Sequence, residues 1–349
     1  MIDLADIKIT NEILQIVSEL DSFKNSWALV GKISPEKLVS LKKIATIESI
    51  GSSTRIEGVT LSDRQVEELL SNLEVKSFLS RDEQEIAGYS EACNLVFASH
   101  QNMNFSENLI KQLHKVLLKF SDKDIRHAGE YKTLPNRIEA FDSAGNSVGV
   151  VFETASPFDT PFQMEQLVNW FNGQIKQNGI HPLLLIGIFI VHFLAIHPFQ
   201  DGNGRLSRIL TALLLLQSGY TYIPYSSLES IIEKNKEAYY LALRKTQNTL
   251  QHEASYEPWL LFFLQSLLRQ QTHFETKLNT ARLSELSKLS NLSRRILDII
   301  HEHHELNISE ITLYADANKN TVKKHLAQLV ANSHIVKYGK GKATTYKLK

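Results

Sequence analysis

A single cysteine, Cys93, is all that 349 residues contain. No disulfide can form within the chain, and a reducing cytoplasm suits such a composition. The flank Ala92-Cys93-Asn94-Leu95-Val96 reads as a core helix, not as the setting of a reactive thiol. Net charge is missing too. The 38 Lys and Arg balance 38 Asp and Glu, which excludes a chain that binds nucleic acid over its whole surface. The first residues, Met1-Ile2-Asp3-Leu4-Ala5-Asp6, carry acid where a signal peptide needs a basic start. The longest apolar run, Leu183 to Ile196, contains His192 and falls short of the ~20 residues of a membrane span. These absences leave a soluble cytoplasmic protein of about two to three domains, with no membrane partner.

What is present concentrates in twelve residues, His197-Pro198-Phe199-Gln200-Asp201-Gly202-Asn203-Gly204-Arg205-Leu206-Ser207-Arg208. Apolar runs enter at Leu183–Ile196 and leave at Ile209–Leu216, so two buried helices flank a polar loop. Gly202-Asn203-Gly204 can turn tightly and aim successive backbone N–H groups into one concavity. The helix that follows adds unpaired N–H groups and its positive dipole end, which makes a polyphosphate site. Arg205 and Arg208 share a face three residues apart and offer forked donors to phosphate. Asp201 is the hard oxygen ligand that Mg²⁺ prefers, and His197 can act as general base.

This stretch resembles the Fic (filamentation induced by cAMP) signature HPFx(D/E)GNGRxxR, with every specified position filled. The resemblance implies a protein adenylyltransferase that uses ATP and Mg²⁺. In that case His197 deprotonates the target hydroxyl and Asp201 holds the metal. The nucleotide would be bound by Gly202, Asn203, Gly204, Arg205, Leu206, Ser207 and Arg208, the two arginines at the β/γ end. Phe199 reads as an apolar anchor.

Upstream, Ser34-Pro35-Glu36-Lys37 has the cap and N1 proline of a helix start. Leu38, Leu41, Ile44, Ile47 and Ile50 continue it at helical spacing, and glycine suggests a stop near Gly51-Ser52 or at Gly58. Glu57 then stands near a negative helix end, an unfavourable place for a carboxylate unless it is an ordinary surface residue. Ser53-Thr54-Arg55-Ile56-Glu57-Gly58 matches the inhibitory [S/T]xxxE[G/N] motif of the same family. That implies Ser53 and Glu57 as inhibitory residues, with Glu57 paired to Arg208.

Further helices are predicted from Leu61 (capped by Ser62), over Asp82–Ser99 and over Ser106–Phe120, with His114 and His100 as ordinary satisfied histidines. Ile138-Glu139-Ala140-Phe141 and Val148–Phe152, separated by Asp142-Ser143-Ala144-Gly145-Asn146, read as a β-hairpin. Its place before the signature resembles the Fic flap, whose edge docks the target by strand addition. Lys234–Gln247 reads as one helix, and the resemblance places an aromatic of it, Tyr239, beside the adenine.

Residues 274–290 look like a connector. Beyond it, 291–349 holds ten Lys and Arg against five Asp and Glu. Helices at Ser293–His303, Ser309–Tyr314 and Lys319–Asn332, then two strands around Gly339-Lys340-Gly341-Lys342, resemble a winged helix suited to DNA or to protein docking.

The expected fold is therefore mainly α: a Fic-type helical bundle with a small hairpin flap and a C-terminal winged helix-turn-helix. Its divisions are an N-terminal helical region (1–105), a core (106–273), a connector (274–290) and the winged helix (291–349). The expected activity is AMP transfer to a Ser, Thr or Tyr hydroxyl of a protein, this one included, held back by Glu57. A homodimer, a DNA-binding regulator whose core senses nucleotide, another nucleotide donor and removal of AMP stay open.

Overall fold

The computed structural model describes residues 2, 7–28, 35–72, 78, 80–141, 147–250, 252–332, 334–339, 341 and 344–349, with backbone alone at 137–141, 147–153 and 281–288. The chain is mainly helical and divides into two units, Met1–Asn25 with Lys42–Gln271, and Ser26–Leu41 with Thr272–Lys349. In chain order the first elements are α1 (Asn11–Ala28), α2 (Pro35–Ile56), α3 (Asp63–Leu70), α4 (Arg81–Ser99) and α5 (Glu107–Leu117). A hairpin β1 (Arg137–Phe141) and β2 (Ser147–Glu153) follows. After it come α6 (Thr160–Gln177), α7 (Pro182–Ile196), α8 (Asn203–Gln217), α9 (Leu228–Lys234), α10 (Lys236–Gln247) and α11 (Glu257–Lys288).

The larger unit is built around α7. This helix is apolar on every side, and a helix of that kind is stable only when surrounded. Twelve of its residues from Leu183 to Ile196 are buried, against α6, α8 and α10. The Trp259 indole of α11 donates to Gly187 O at 2.7 Å. The helix begins at Pro182, with His181 as its cap. It ends at His197, whose left-handed backbone (φ 51°, ψ 61°) costs about 1 kcal/mol or more in a residue with a Cβ. Six residues later α8 starts, with every residue from Arg205 to Leu216 buried. The signature loop is thus a tight turn between two buried core helices.

Other elements follow their local signals. Ser62 caps α3 in a reciprocal capping box with Gln65, and Ser80 and Ser106 cap α4 and α5. The Ser34 cap lies outside the described residues. The helix containing Ser53 does not stop at Gly51-Ser52 but runs to Ile56, with Gly58 following at φ 107°. Lys234–Gln247 is not one helix: Asn235 separates α9 from α10. The expected connector is helical as far as Lys288, continuous with α11.

The hairpin strands pair antiparallel, Arg137 with Glu153 and Ile138 with Phe152, with register shifts after Ile138 and Ala140. Among the described residues this sheet has two strands. Its turn, 142–146, lies outside them.

The second unit holds α12 (Asn291–His303), β3 (Glu305–Asn307), α13 (Ile308–Tyr314), α14 (Lys319–Ala331), β4 (Ile335–Tyr338) and β5 (Thr345–Leu348). Strand order is β3-β5-β4. The short β3 had no signal in the sequence. Val322, Leu326 and Leu329 of α14 close the core with Ile296, Ile300, Ile311 and Tyr346. That core leaves Lys319, Lys323 and Lys324 exposed. Lys340 and Lys342 of the expected wing lie outside the described residues. No described helix is long and apolar enough to cross a membrane.

Candidate active site

A cavity of about 200 Å³ opens where the α7–α8 turn meets α10, α4 and the end of α2. His197, Asp201, Gly202, Asn203, Gly204 and Arg205 form one wall. Glu57, Arg81, Glu85, Tyr239, Tyr240, Leu243, Arg244 and Gln247 complete it.

His197 leaves the C-terminus of α7 into this space. Its Nδ1 faces Leu194 O at 3.4 Å, which places the ring hydrogen on Nδ1 and leaves the Nε2 lone pair to accept a proton. Burial pushes its pKa down to about 4, and the Lys132 ammonium adds to that effect. The imidazole is therefore neutral at pH 7.

Gly202 is left-handed (φ 80°) and caps α8 without a side-chain acceptor. The first N–H groups of α8 thus lack a side-chain cap, which suits an anion. The Glu57 carboxylate lies there. A Cβ placed on Gly204 would collide with Glu57 Oε1. The same oxygen accepts from Arg208 Nη2 at 2.8 Å. Arg208 also donates to Ser53 through Nε (Oγ, 2.7 Å) and Nη2 (O, 2.9 Å). Burial opposes the guanidinium charge, yet the nearby Glu57 more than offsets this and raises the Arg208 pKa. Only Arg208 Nη1 is left buried with no partner, an open donor beside the carboxylate. Ser53, Glu57 and Arg208, separated by about 150 residues of sequence, are brought together. The negative end of α2 ceases to penalise Glu57, because the positive end of α8 faces it.

Several of the expected contacts are placed differently. Arg205 is 3 % exposed and held between Asp201 and Glu85, the latter at 3.0 Å, so it steadies the Asp201 carboxylate. The Asn203 side chain is engaged within the loop. It bridges the loop, accepting from Phe199 N at 2.9 Å and donating to Phe199 O at 2.7 Å. Leu206 points into the core, fully buried, and Ser207 donates back to Gly204 O at 2.7 Å. Their side chains are structural. Tyr239 is 4 % exposed and packs edge-on against Trp259, while its neighbour Tyr240 is 38 % exposed on the cavity wall. Both tyrosines line the cavity, and Tyr240 is the more exposed of the two.

Asp201 keeps one carboxylate oxygen outside its Arg205 contact, and about a third of its side chain is exposed. Among the described residues no three His, Cys, Asp or Glu gather as a metal cage. A lone carboxylate beside a polyphosphate site still fits Mg²⁺, which keeps most of its shell as water and phosphate oxygen.

His114, expected to be an ordinary satisfied histidine, is buried with both ring nitrogens partnered, and its place beside the loop was not legible in the sequence. Gly129 N–H donates to its Nδ1 at 2.9 Å, so Nε2 carries the hydrogen and donates to Asp201 O at 3.0 Å. Its ring stacks on Phe199 at 3.8 Å, which anchors the loop. No local pattern marks such a histidine, because its partners lie in other elements. Burial pushes its pKa down to about 4 from an ordinary value near 6.5. A histidine depressed in the fold contributes stability that is complete above pH ~6.5 and lost as pH falls toward about 4. We expect about 2 kcal/mol from this group to be lost between pH 7 and pH 5. Urea midpoints should show that loss in the parent and a smaller one in His114→Gln; equal losses would contradict it.

Comparison with known proteins bears on this geometry. The Fic/DOC family model matches residues 104–215. A protein adenylyltransferase Fic of Drosophila mojavensis is 27% identical over 266 residues, covering 74% of this chain and 48% of that protein. The chain thus spans about half the length of this relative. A Fic family protein from Desulfovibrio desulfuricans superposes with TM-score 0.61 at 19% identity, over 99% of this chain and 98% of the other. A Fic domain containing signaling protein from Bacteroides thetaiotaomicron gives TM-score 0.58 at 25% identity, over 76% and 95%.

Proposed function

We propose that this protein, whose residues 104–215 match the Fic/DOC family model, is a protein adenylyltransferase acting on a Ser, Thr or Tyr hydroxyl of a polypeptide, its own surface included. The observation that carries this reading is the convergence of a neutral His197 with a free Nε2, an anion site at the start of α8, and an aromatic wall at Tyr240, all in one cavity. A nucleoside triphosphate supplies both the anion and the ring.

The phosphates of ATP would rest on the first N–H groups of α8, with the γ end at Arg208 and the base against Tyr240. Asp201, steadied by Arg205 and His114, would hold Mg²⁺, which neutralises phosphate charge. His197 Nε2 takes the hydroxyl proton as the hydroxyl oxygen attacks the α-phosphorus. The bond from that phosphorus to the bridging oxygen breaks, and pyrophosphate leaves. The open edge of β1, at residues 138–141, would align the target by main-chain bonds. Glu57 on Arg208 would hold the enzyme off. Labelled ATP tests the reading: α-³²P should appear on protein and γ-³²P should not. Transfer of the γ label, or of neither label in the Glu57→Gly variant, would overturn it.

A second activity is favoured by one observation, the exposed Lys319, Lys323 and Lys324 on α14. We read α12, α13, α14 and the β3-β5-β4 sheet as a winged helix that contacts DNA phosphates. Fluorescence anisotropy at 50 mM salt should show duplex binding that weakens at least tenfold in a Lys319→Glu, Lys323→Glu, Lys324→Glu triple variant. No binding by the parent at that salt would make the module a protein-docking element.

A further inference from the structure

Between the hairpin and the signature loop lies a buried polar cluster that the reaction described above does not use. Lys132 is 3 % exposed, and its ammonium has three acceptors: Asn136 Oδ1 (2.8 Å), Thr154 Oγ1 (2.9 Å) and Ile196 O (3.0 Å). That uses all three of its hydrogens. Its backbone N–H donates to Pro198 O at 2.8 Å. The Asn136 amide donates to His197 O at 3.3 Å and Phe199 O at 2.8 Å. Every carbonyl from Ile196 to Phe199 is therefore taken by Lys132 or Asn136.

Position in the fold explains why a buried cation is tolerated there. Ile196 ends α7, and an ammonium against the last carbonyls of a helix meets its negative dipole end. The same contacts hold His197 in its left-handed conformation, which the chain alone would not keep. Asn136 directly precedes β1 and Thr154 directly follows β2. Thr154 Oγ1 lies 2.8 Å from Asn136 O and 2.7 Å from Asn136 Oδ1, so the two feet of the hairpin are pinned to one another and to the loop.

We propose that Lys132, with Asn136 and Thr154, is a positioning strut: it fixes the 196–199 backbone that aims the His197 imidazole, and it ties that backbone to both feet of the β1–β2 hairpin. A polypeptide paired with the hairpin edge is thereby held in register with the base. The catalytic consequence rests on the reading of His197 as general base; the mechanical one does not.

The charged groups acting on His197 are Lys132, Glu57 and Asp201, and of these Lys132 alone belongs to the strut. Two substitutions therefore separate charge from tethering. Lys132→Met should speed amide exchange over residues 196–203 at least tenfold, and should raise the His197 titration midpoint seen by histidine-selective NMR. Thr154→Val should speed exchange over 137–141 and 196–203 while leaving that midpoint in place, and Thr154→Ser should match the parent. In a Glu57→Gly background, Lys132→Met should lower transfer at least tenfold with ATP affinity within threefold. Parent-like exchange and a parent-like His197 midpoint in Lys132→Met would overturn the proposal. Should that variant not fold, Asn136→Leu carries the same expectation for exchange over 196–203, and parent-like exchange there would overturn it equally. If exchange and titration move but no variant transfers AMP, the strut stands and the adenylyl-transfer reading falls.

Discussion

Replacing Glu57 with glycine is expected to raise AMP transfer about ten- to a hundredfold over the parent. The estimate comes from the contact being removed. Glu57 Oε1 accepts from Arg208 Nη2 at 2.8 Å and sits over Gly204 at the start of α8. A hydrogen bond between charged groups contributes about 1.5–3 kcal/mol, and a triphosphate must displace this one to reach the same donors. Loss of the carboxylate leaves Arg208 still held by Ser53, with the contacted face of Nη2 open. The fold should tolerate the change, since Glu57 follows the last turn of α2 and keeps about a third of its side chain exposed. Autoradiography of labelled protein, with circular dichroism as a control, measures the effect. A folded Glu57→Gly protein no more active than the parent would show that this glutamate is not a brake.

The second large effect concerns His197. His197→Ala should lower transfer by about 10²–10⁴, even in the Glu57→Gly background, while ATP still binds within about threefold of the parent. Binding should survive because, in the proposed pose, the phosphates would rest on α8 and the base on α10, neither of which the imidazole supports. A double variant with activity within a factor of two of Glu57→Gly would remove the residue from the chemistry. The pH profile gives an independent check. The imidazole works unprotonated, and burial together with Lys132 pushes its pKa down to about 4. Transfer by Glu57→Gly should therefore hold steady from pH 8 to pH 6 and fall only as pH nears that value. An acid limb centred near 6.5, the ordinary histidine range, would mean that the ring is solvated during turnover.

The sequence by itself determined whatever is local or periodic. Twelve contiguous residues bring His197, Asp201 and a glycine turn into one loop, because the chain that joins them is too short to separate them. The apolar run of α7 could only be a core helix, and the caps at Ser62, Ser80 and Ser106 sit within three residues of the N–H groups they accept from. The hexapeptide Ser53–Gly58 was likewise readable as a motif, and Arg208, the partner of its Glu57, could be named from the second motif.

Tertiary structure decided what depends on orientation or on distant partners. Tyr239 and Tyr240 differ by one residue, about 100° around a helix, and only the packing of Trp259 settles which ring is buried. The bonds of the Asn203 side chain to the Phe199 backbone could not be read from the sequence either, because they depend on how the loop folds back on itself. Arg205 and Arg208 look alike in sequence, yet Glu85 on α4 claims one and Ser53 on α2 claims the other. His114, Lys132, Asn136 and Thr154 carry no pattern at all. Their partners lie up to 87 residues away, and a buried polar side chain acquires its role only when the fold delivers a carbonyl that water can no longer reach.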